Sequence, residues 1–401
     1  MKEDVSQRAR SSGRKSQLRR AAKILVPLAI ISAILFLYEA PYSNWGGAEY
    51  FLLAAALAIY LAVIFVGRLR DVSIVAATIL IGLAGIEAYS VLTQARPVET
   101  RAEGYSVSRP VLGWGPQHPG AFRNVKYAAR THSVIYDATY TIDAHLNRKV
   151  ISAESGPAVA FFGDSFTFGT GLQDSETLPQ IFADLYQRKI GVLDFGFPGY
   201  GPQQFLRALE TGIYDSLLRG RARLFVYETA AFHAGRTSCQ AGFMLRAPRY
   251  ELVGGRPIYR GACYQHWTAP IQLFANTSLY RMFIEPVFGG PSHADVDLYV
   301  AVLARAAQLA REKYDAPTLI LYIREDEPYL QRSGYTDEDI IRSMRKSGLD
   351  VLDVTLQAVK FPGKDLKIPG DGHPTAFANQ VRAEMTKAHV EQAHPGLLSS
   401  N

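Results

Sequence analysis

The fold of this chain is decided by Ala158-Val159-Ala160-Phe161-Phe162-Gly163-Asp164-Ser165-Phe166-Thr167-Phe168-Gly169. The first five residues form an apolar run of the length expected for a buried strand, and the run ends at Gly163. A serine directly after such a strand lies beyond its carboxyl end, where open parallel α/β sheets bind ligands. Ser165 is therefore a candidate nucleophile, which needs a neighbouring base and backbone N–H groups for the developing oxyanion. The alternative role for Ser165 is to cap a loop or a helix.

From Ala158 onward, predicted strands alternate with predicted helices. The strands are 158–162, 191–194, 223–227, 318–323 and 351–353. The helices are 177–189, 202–218, 294–314, 336–346 and 374–391. Such alternation favours right-handed βαβ units, so the predicted fold class is α/β, with a parallel five-stranded sheet between helical layers over residues 156–395. Residues 234–291 interrupt the pattern and are predicted to form a loop-rich insertion that covers the edge of the sheet where Ser165 lies.

The N-terminal part of the chain is basic and then apolar. Residues 1–23 contain eight basic and two acidic side chains, which account for the whole formal net charge of +6. Because the excess charge belongs to a tail and not to a folded surface, nucleic-acid binding is not expected. Residues 24–94 then contain three apolar segments, at 24–38, 51–66 and 72–92. These segments predict three transmembrane helices.

The charges of the loops predict how these helices cross the membrane. The tail and the loop at Arg68-Leu69-Arg70 are basic, whereas residues 39–49 contain no lysine or arginine. The positive-inside rule then places the tail in the cytoplasm and everything after about residue 94 outside the cytoplasmic membrane. A cleaved signal peptide would share the basic start, but two further apolar segments follow it. Glu87 is expected to reach the membrane interface, with a functional intramembrane acid as the alternative.

Two further signals lie in the predicted exterior. Cys239 and Cys263 are the two cysteines of the chain, and outside the cytoplasm they are expected to form a disulfide, with two buried free thiols as the alternative. Residues 95–155 are polar and rich in turns, and within them 134–142 has the composition of a strand. We predict a β-rich lead-in segment there, between the membrane helices and the α/β domain.

A candidate base for Ser165 lies near the C-terminus. Asp371 and His373 belong to an Asp-Gly-His-Pro run that precedes the last predicted helix. In a serine–histidine–acid triad, His373 would take the proton of the serine and Asp371 would orient the imidazole.

A glycine-rich loop, residues 194–201, follows the second predicted strand. Its glycines let a backbone N–H approach a reacting carbonyl group, although a plain strand-to-helix turn is the alternative. The loop is not a P-loop, since no Gly-Lys-Ser/Thr occurs. Ser165 is also outside the Gly-x-Ser-x-Gly elbow, because position 167 is threonine.

These motifs resemble those of the SGNH, or GDSL-type, hydrolase family, whose members are esterases, lipases, carbohydrate deacetylases and some O-acyltransferases. The resemblance covers residues 158–391, and it implies that Ser165 is both the nucleophile and one oxyanion donor. Gly199 matches the second oxyanion donor of the family. Asp371 and His373 match its acid and base; the family often spaces them Asp-x-x-His, and the Asp-x-His spacing here is that of its polysaccharide acetyltransferase branch.

After the third strand the chain departs from the family pattern. The family has Gly-x-Asn-Asp there, with asparagine as a third oxyanion donor, whereas residues 228–236 read Glu-Thr-Ala-Ala-Phe-His-Ala-Gly-Arg. His233 could donate in place of the asparagine, or the third donor is missing. The alternative for His233 and Arg236 is a polar pair that orders the insertion. Loss of one oxyanion donor lowers the rate by about 10²–10³.

The expected function is that of a membrane-anchored serine esterase outside the cytoplasm. Its substrate would be an acyl ester of a carbohydrate or a lipid, such as an acylated glycan or an envelope lipid. The alternatives are an O-acyltransferase for envelope polysaccharide and a catalytically inactive module that binds envelope components. No cofactor is expected, and no metal site either, because no common ligand pattern is matched by the spacing of Asp371, His373, His233, His266 and His293.

Overall fold

The computed structural model describes residues 25–33, 47–93, 97–241, 243–263, 274, 277–284, 289–324 and 327–398. The chain divides into two compact units. One, here called the helical unit, is drawn from Met1–Ala95 and Trp267–Val287. The other, here called the α/β unit, is drawn from Arg96–His266 and Phe288–Asn401.

In the described part of the helical unit, residues 25–33 are helical, and two longer apolar helices, α1 (Ala48–Ile64) and α2 (Arg68–Thr93), pack against each other. In the described chain, Arg68–Ser90 is the one helical stretch with both the length and the composition of a membrane span. The segment predicted at 51–66 corresponds to the shorter helix α1, and the segment predicted at 24–38 is described for residues 25–33 alone. The expectation of three transmembrane helices is therefore supported for one of them.

The α/β unit begins with the predicted β-rich lead-in. Its strands are β1 (Val98–Arg101), β2 (Val107–Arg109), β3 (Gly113–Gly115), β4 (Gly120–Tyr127) and β5 (Val134–Ile142). β1, β4 and β5 form an antiparallel sheet in that order, and β2 pairs with β3. Residues of β5 alternate between buried and more exposed positions, as in a strand with one face on a core.

The strands of the rest of this unit are β6 (Ala158–Phe162), β7 (Gly191–Asp194), β8 (Ala222–Ala230), β9 (Pro248–Val253), β10 (Arg256–Ala262), β11 (Thr318–Ile323) and β12 (Asp350–Asp353). Its helices are α3 (Ser165–Phe168), α4 (Leu178–Leu185), α5 (Pro202–Thr211), α6 (Asp215–Leu218), α7 (His233–Thr237), α8 (His293–Tyr314), α9 (Asp337–Lys346) and α10 (Ala376–Ala393). All five strands predicted for the main sheet are present, to within three residues at each end.

The main sheet is parallel, with the strand order β12-β11-β8-β6-β7. Every residue of β6 is buried, and its side chains alternate between two core clusters, Ala160 and Phe162 in one and Val159 and Phe161 in the other. Helices α5 and α8 contribute to the first cluster, and α4 and α10 contribute to the second. Because helices cover both faces, the strand is a continuous apolar run, and the predicted three-layer arrangement is confirmed.

The strand order creates a topological switch between β6 and β8. The chain passes from β6 to the edge strand β7, and then returns past β6 to β8, β11 and β12. Ligands of open α/β sheets bind where the order reverses, at the carboxyl ends of the strands. Ser165 follows β6 and helix α7 follows β8, so both lie at this switch point.

Two predictions about the connections are wrong. The helix predicted at 202–218 is divided into α5 and α6, because Gly212 adopts a left-handed conformation with φ of 68° and ends α5. The insertion predicted at 234–291 is not one body. Helix α7 and the β9–β10 hairpin belong to the α/β unit, whereas residues 267–287 belong to the helical unit.

Candidate active site

Ser165 begins the short helix α3 directly after β6. Asp164 caps this helix, since its Oδ1 accepts a hydrogen bond from the N–H of Phe166 at 2.9 Å. A Cβ atom on Gly163 would lie 2.1 Å from Oγ1 of Thr167, so the tight turn requires glycine. The exposed fraction of Ser165 is 7%, and within the described chain its Oγ has no hydrogen-bond partner. The hydroxyl is therefore available to a reactant.

The predicted base and acid are paired with each other. Nδ1 of His373 contacts Oδ2 of Asp371, and the same carboxylate accepts the backbone N–H of His373 at 3.2 Å. The side chain of His373 is 22% exposed, and that of Asp371 is fully buried. The His373 ring lies edge-on to the ring of Phe166 with 5.6 Å between centroids, and Phe166 is the neighbour of Ser165. Nε2 of His373 bonds to no described residue, nor is it in hydrogen-bond contact with the serine Oγ.

Lys126 is a third member of this group, and no sequence motif indicated its role. Its Nζ contacts Oδ1 of Asp371, so the carboxylate is held at both oxygens by Lys126 and His373. Burial favours the neutral form of Asp371, but the hydrogen bond from His373 and the charge of Lys126 outweigh it and lower its pKa to about 2. Lys126 lies on β4 of the lead-in, 245 residues from Asp371, and a single lysine on a strand carries no sequence signal for this contact.

Gly199 lies in the glycine-rich loop after β7. Its φ is 84°, and a Cβ atom there would lie 3.1 Å from the rings of both Phe243 and Trp114, so the loop requires glycine. No described residue accepts the N–H of Gly199, which leaves this donor free for a ligand. The lead-in also fixes this loop, because Nε1 of Trp114 donates to the carbonyl of Pro198 at 2.9 Å.

His233 does not have the environment expected of an oxyanion donor. Its side chain is 1% exposed and both ring nitrogens have partners, Nδ1 with Thr229 Oγ1 at 2.7 Å and Nε2 with Asp164 Oδ2 at 3.2 Å. Burial lowers its pKa below the ordinary value for histidine, against the opposing hydrogen bond with Asp164. Both ring nitrogens are thus satisfied within the protein, and this arrangement offers no N–H to a substrate.

Arg236 connects the two loops that carry the backbone donors. Its Nη1 donates to Oδ2 of Asp164 at 2.5 Å and to the carbonyl of Tyr200 at 2.9 Å. Asp164 precedes Ser165, and Tyr200 follows Gly199, so one guanidinium nitrogen bridges the two predicted halves of the oxyanion hole. The charge of Arg236 and the contact with His233 overcome the burial of Asp164 and hold its pKa well below the usual value.

Two buried carboxyl groups support the same loops. Oε2 of Glu228 accepts the hydroxyl of Thr167 at 3.0 Å, and Oδ1 of Asp194 accepts the N–H of Gly196 at 2.8 Å. Burial raises the pKa of Glu228 to about 7 and raises that of Asp194 well above its ordinary value. Asp194 lies in the glycine-rich loop segment 194–201, and Glu228 lies in segment 228–236. The sequence did not indicate that either carboxyl group is buried, because burial is set by tertiary packing.

The other residues singled out from the sequence are two cysteines and two histidines. Cys239 and Cys263 form a disulfide, as expected. His293 stacks on Tyr335 with 4.5 Å between the ring centroids, and His266 lies outside the described residues. In the part of the chain that the structure describes, no three histidine, cysteine or carboxylate side chains are grouped as metal ligands would be.

No known family's sequence profile matches the chain, and no curated protein matches it in sequence. Some solved structures resemble it over about three fifths of its length. The psychrotrophic esterase EstA from Pseudoalteromonas sp. is 12% identical over 59% of this chain and 97% of its own, with a TM-score of 0.36. A carbohydrate acetylesterase family member from Sinorhizobium meliloti is 12% identical over 59% and 98%, with a TM-score of 0.33. AlinE4, a SGNH-hydrolase family esterase, is 16% identical over 61% and 100%, with a TM-score of 0.32. Likeness at this level defines no activity.

Proposed function

We propose that this chain is a membrane-anchored serine ester hydrolase with an SGNH-type α/β domain outside the cytoplasm. The observation that carries the proposal is the Asp371–His373 pair. The imidazole is held at Nδ1, its Nε2 has no partner in the described chain, and its ring contacts the residue next to Ser165. Nucleophilic ester cleavage uses a serine together with a histidine that is oriented by an acid and has one open nitrogen.

In the proposed reaction, Ser165 Oγ forms a bond to the acyl carbon of the ester. Nε2 of His373 takes the hydroxyl proton and then returns it to the leaving alcohol as the C–O bond breaks. Water repeats the attack on the acyl-enzyme, which releases the acid and restores the serine. Asp371 stays ionised throughout, orients the ring and stabilises the imidazolium that forms.

The oxyanion of each tetrahedral intermediate would be bound by backbone donors. These donors are the N–H groups of Ser165 and Gly199. The family's asparagine is absent, and His233 does not replace it as a third donor, because both of its ring nitrogens have partners. Arg236 acts instead as a positioning residue, because it connects the residue before Ser165 to the residue after Gly199. Fixed donors stabilise the developing charge without reorganising during the reaction.

The proposed substrate is an acyl ester of a carbohydrate or a lipid in the cell envelope. The membrane-length helix α2, and a disulfide of the kind formed outside the cytoplasm, support this location. An O-acyltransferase is the second candidate, favoured by the Asp-x-His spacing of Asp371 and His373. The two activities share the acyl-Ser165 intermediate and differ in whether water or a sugar hydroxyl attacks it.

The test uses the full chain with a serine-directed fluorophosphonate and a small aryl acetate. We expect the probe to label Ser165 alone, and acetate to be released continuously. An acetyl-enzyme that accumulates until a sugar is added would select the transferase. If the folded protein is neither labelled nor acetylated, both activities are rejected. The chain would then be the catalytically inactive module that binds envelope components.

A further inference from the structure

Glu87 in helix α2 has no role in the proposed reaction, yet its carboxylate is fully buried within the helical unit. Oε1 accepts the backbone N–H of Gly47 at 3.1 Å and that of Ser278 at 2.7 Å, and Oε2 accepts that of Leu279 at 2.9 Å. Three N–H donors satisfy the carboxylate, and among the described residues no basic side chain contacts it. Such pairing lets an acid lie in an apolar helix, where an unpaired charge is costly.

Two of these donors belong to residues 277–284, here called the return segment. This segment lies far along the chain, after the β9–β10 hairpin, and yet belongs to the helical unit. The N–H groups at the start of a helical turn lack partners within that turn, and Glu87 supplies an acceptor for two of them. Packing is close, because a Cβ atom on Gly47 would lie 2.4 Å from Cγ2 of Thr277. Ser90 adds a contact from its Oγ to Sδ of Met282 at 3.0 Å.

The exposed side chains of the return segment are Arg281, Met282 and Phe283, of which the last two are apolar. Met282 is 41% exposed and Phe283 is 57% exposed, while Thr277 and Ser278 are buried against the helices. Exposed apolar side chains continue along α2, among them Ile79 at 57% and Ile86 at 44%. Since Ser90 and Met282 are in contact, these exposed side chains lie on one body whose long helix has the length and composition of a membrane span.

We propose that the return segment is a second membrane-contacting element, with Phe283 and Met282 in contact with phospholipid acyl chains near the outer interface. The inference rests on the proposed membrane anchoring of the helical unit. Lipid is the chosen partner because the segment is bound to the outward end of α2 and continues its apolar surface. An amphipathic segment at the interface buries its apolar side among acyl chains in this way.

The chain would then be joined to the membrane at two separated places. The chain passes from one unit to the other near residues 95, 266 and 287. The two units are therefore joined by three connections. Glu87 would be the residue that holds the second attachment.

The test uses single-cysteine variants of the full chain in phosphatidylcholine–phosphatidylglycerol vesicles. The two native cysteines are bonded to each other, so an added thiol can be labelled selectively with an environment-sensitive NBD dye. Phe283→Cys tests the inference, and Ile79→Cys in α2 is the control for anchoring. Val359→Cys is the aqueous control, because this residue of the α/β unit is 85% exposed.

Nitroxide-labelled acyl chains should quench the dye at positions 283 and 79 by at least twofold and leave position 359 unchanged. Quenching at 79 without quenching at 283 would overturn the return-segment inference and leave the anchoring intact. No quenching at either position would reject the anchoring itself. Cross-linking at 283 between two copies, without lipid quenching, would replace lipid by a second copy as the partner.

A change at Glu87 tests the attachment independently of the dye position. Glu87→Ala in the Phe283→Cys background should reduce the quenching at 283 at least twofold, because the N–H groups of Ser278 and Leu279 lose their acceptor. Quenching at 79, measured in the Ile79→Cys background, should not change. Glu87→Gln keeps one carbonyl acceptor and should lie between the two. Equal quenching at 283 in all three proteins would show that Glu87 does not hold the segment.

Discussion

Two clusters of the same three residue types flank Ser165. Each contains an aspartate, a histidine and a cation: Asp371, His373 and Lys126 in one, and Asp164, His233 and Arg236 in the other. Both aspartate side chains are almost fully buried, and in both the partners lower the carboxyl pKa. The histidines differ, since the His373 side chain is 22% exposed and the His233 side chain is 1% exposed.

An Asp–His contact alone does not identify a base. His373 bonds to its aspartate through Nδ1 and leaves Nε2 open, whereas both nitrogens of His233 are occupied by protein groups. A base needs an open nitrogen that a reactant can approach. We therefore assign proton transfer to the first cluster and the positioning of the backbone donors to the second.

The largest effect is expected at the open histidine. His373→Ala should lower kcat by roughly 10⁴–10⁶, as should Ser165→Ala, because removal of either member of such a pair stops nucleophilic attack. Steady-state kinetics on a small aryl acetate measures this, with circular dichroism as the check on folding. If folded His373→Ala keeps more than a tenth of its activity, the base lies elsewhere and the two clusters are not distinguished as proposed.

Arg236→Met should have the next largest effect. It removes the bridge between Asp164 and Tyr200, so the N–H groups of Ser165 and Gly199 would no longer be held at one spacing. We expect kcat to fall by about 10–10², with KM nearly unchanged, since the loss is confined to the transition state. Arg342→Met is the matched control, because the Arg342 side chain is 70% exposed on α9. An increase in KM alone would instead assign Arg236 to substrate binding.

His233→Ala separates a positioning role from an oxyanion role. We expect the free energy of unfolding to fall by about 1–3 kcal/mol, because Thr229 and Asp164 lose a buried partner. The kcat of the folded fraction should fall by less than about tenfold, and His233→Asn should restore part of the stability. Urea denaturation and kinetics on the same samples measure both quantities. A loss of 10²–10³ in kcat with unchanged stability would restore the oxyanion role.

The smallest effect is expected at Lys126 and appears as a pH shift. The Lys126 ammonium offsets part of the negative charge of Asp371. Lys126→Met removes this offset, so the Asp371 carboxylate should stabilise the protonated form of His373 more strongly. The acidic limb of kcat/KM then moves to higher pH by about 0.5–1 unit, which is a threefold to tenfold loss of activity on that limb. Lys126→Arg keeps the charge and should keep the profile. A uniform loss at every pH would instead indicate misplacement of Asp371.

Local sequence patterns predicted the strands of the main sheet and two members of the first cluster, Asp371 and His373. Strand β6 and the residues Ser165, Asp371 and His373 were all predicted, because apolar runs, turn residues and short motifs are local properties of the chain. A parallel sheet then brings the ends of its strands to one edge. Because the motifs follow a strand end or precede a helix, the sequence predicts that these residues share a site, and this stays a prediction.

The other contacts of the site depend on packing between segments that are distant in the chain. The contact between Lys126 and Asp371 joins residues 245 apart, and the burial of His233 depends on elements that pack around it from several parts of the chain. The division of residues 234–291 between two units likewise follows from the contact of Glu87 with Ser278, across 191 residues. Periodicity reports which face of an element is apolar, but the partner of that face is set by packing between distant segments.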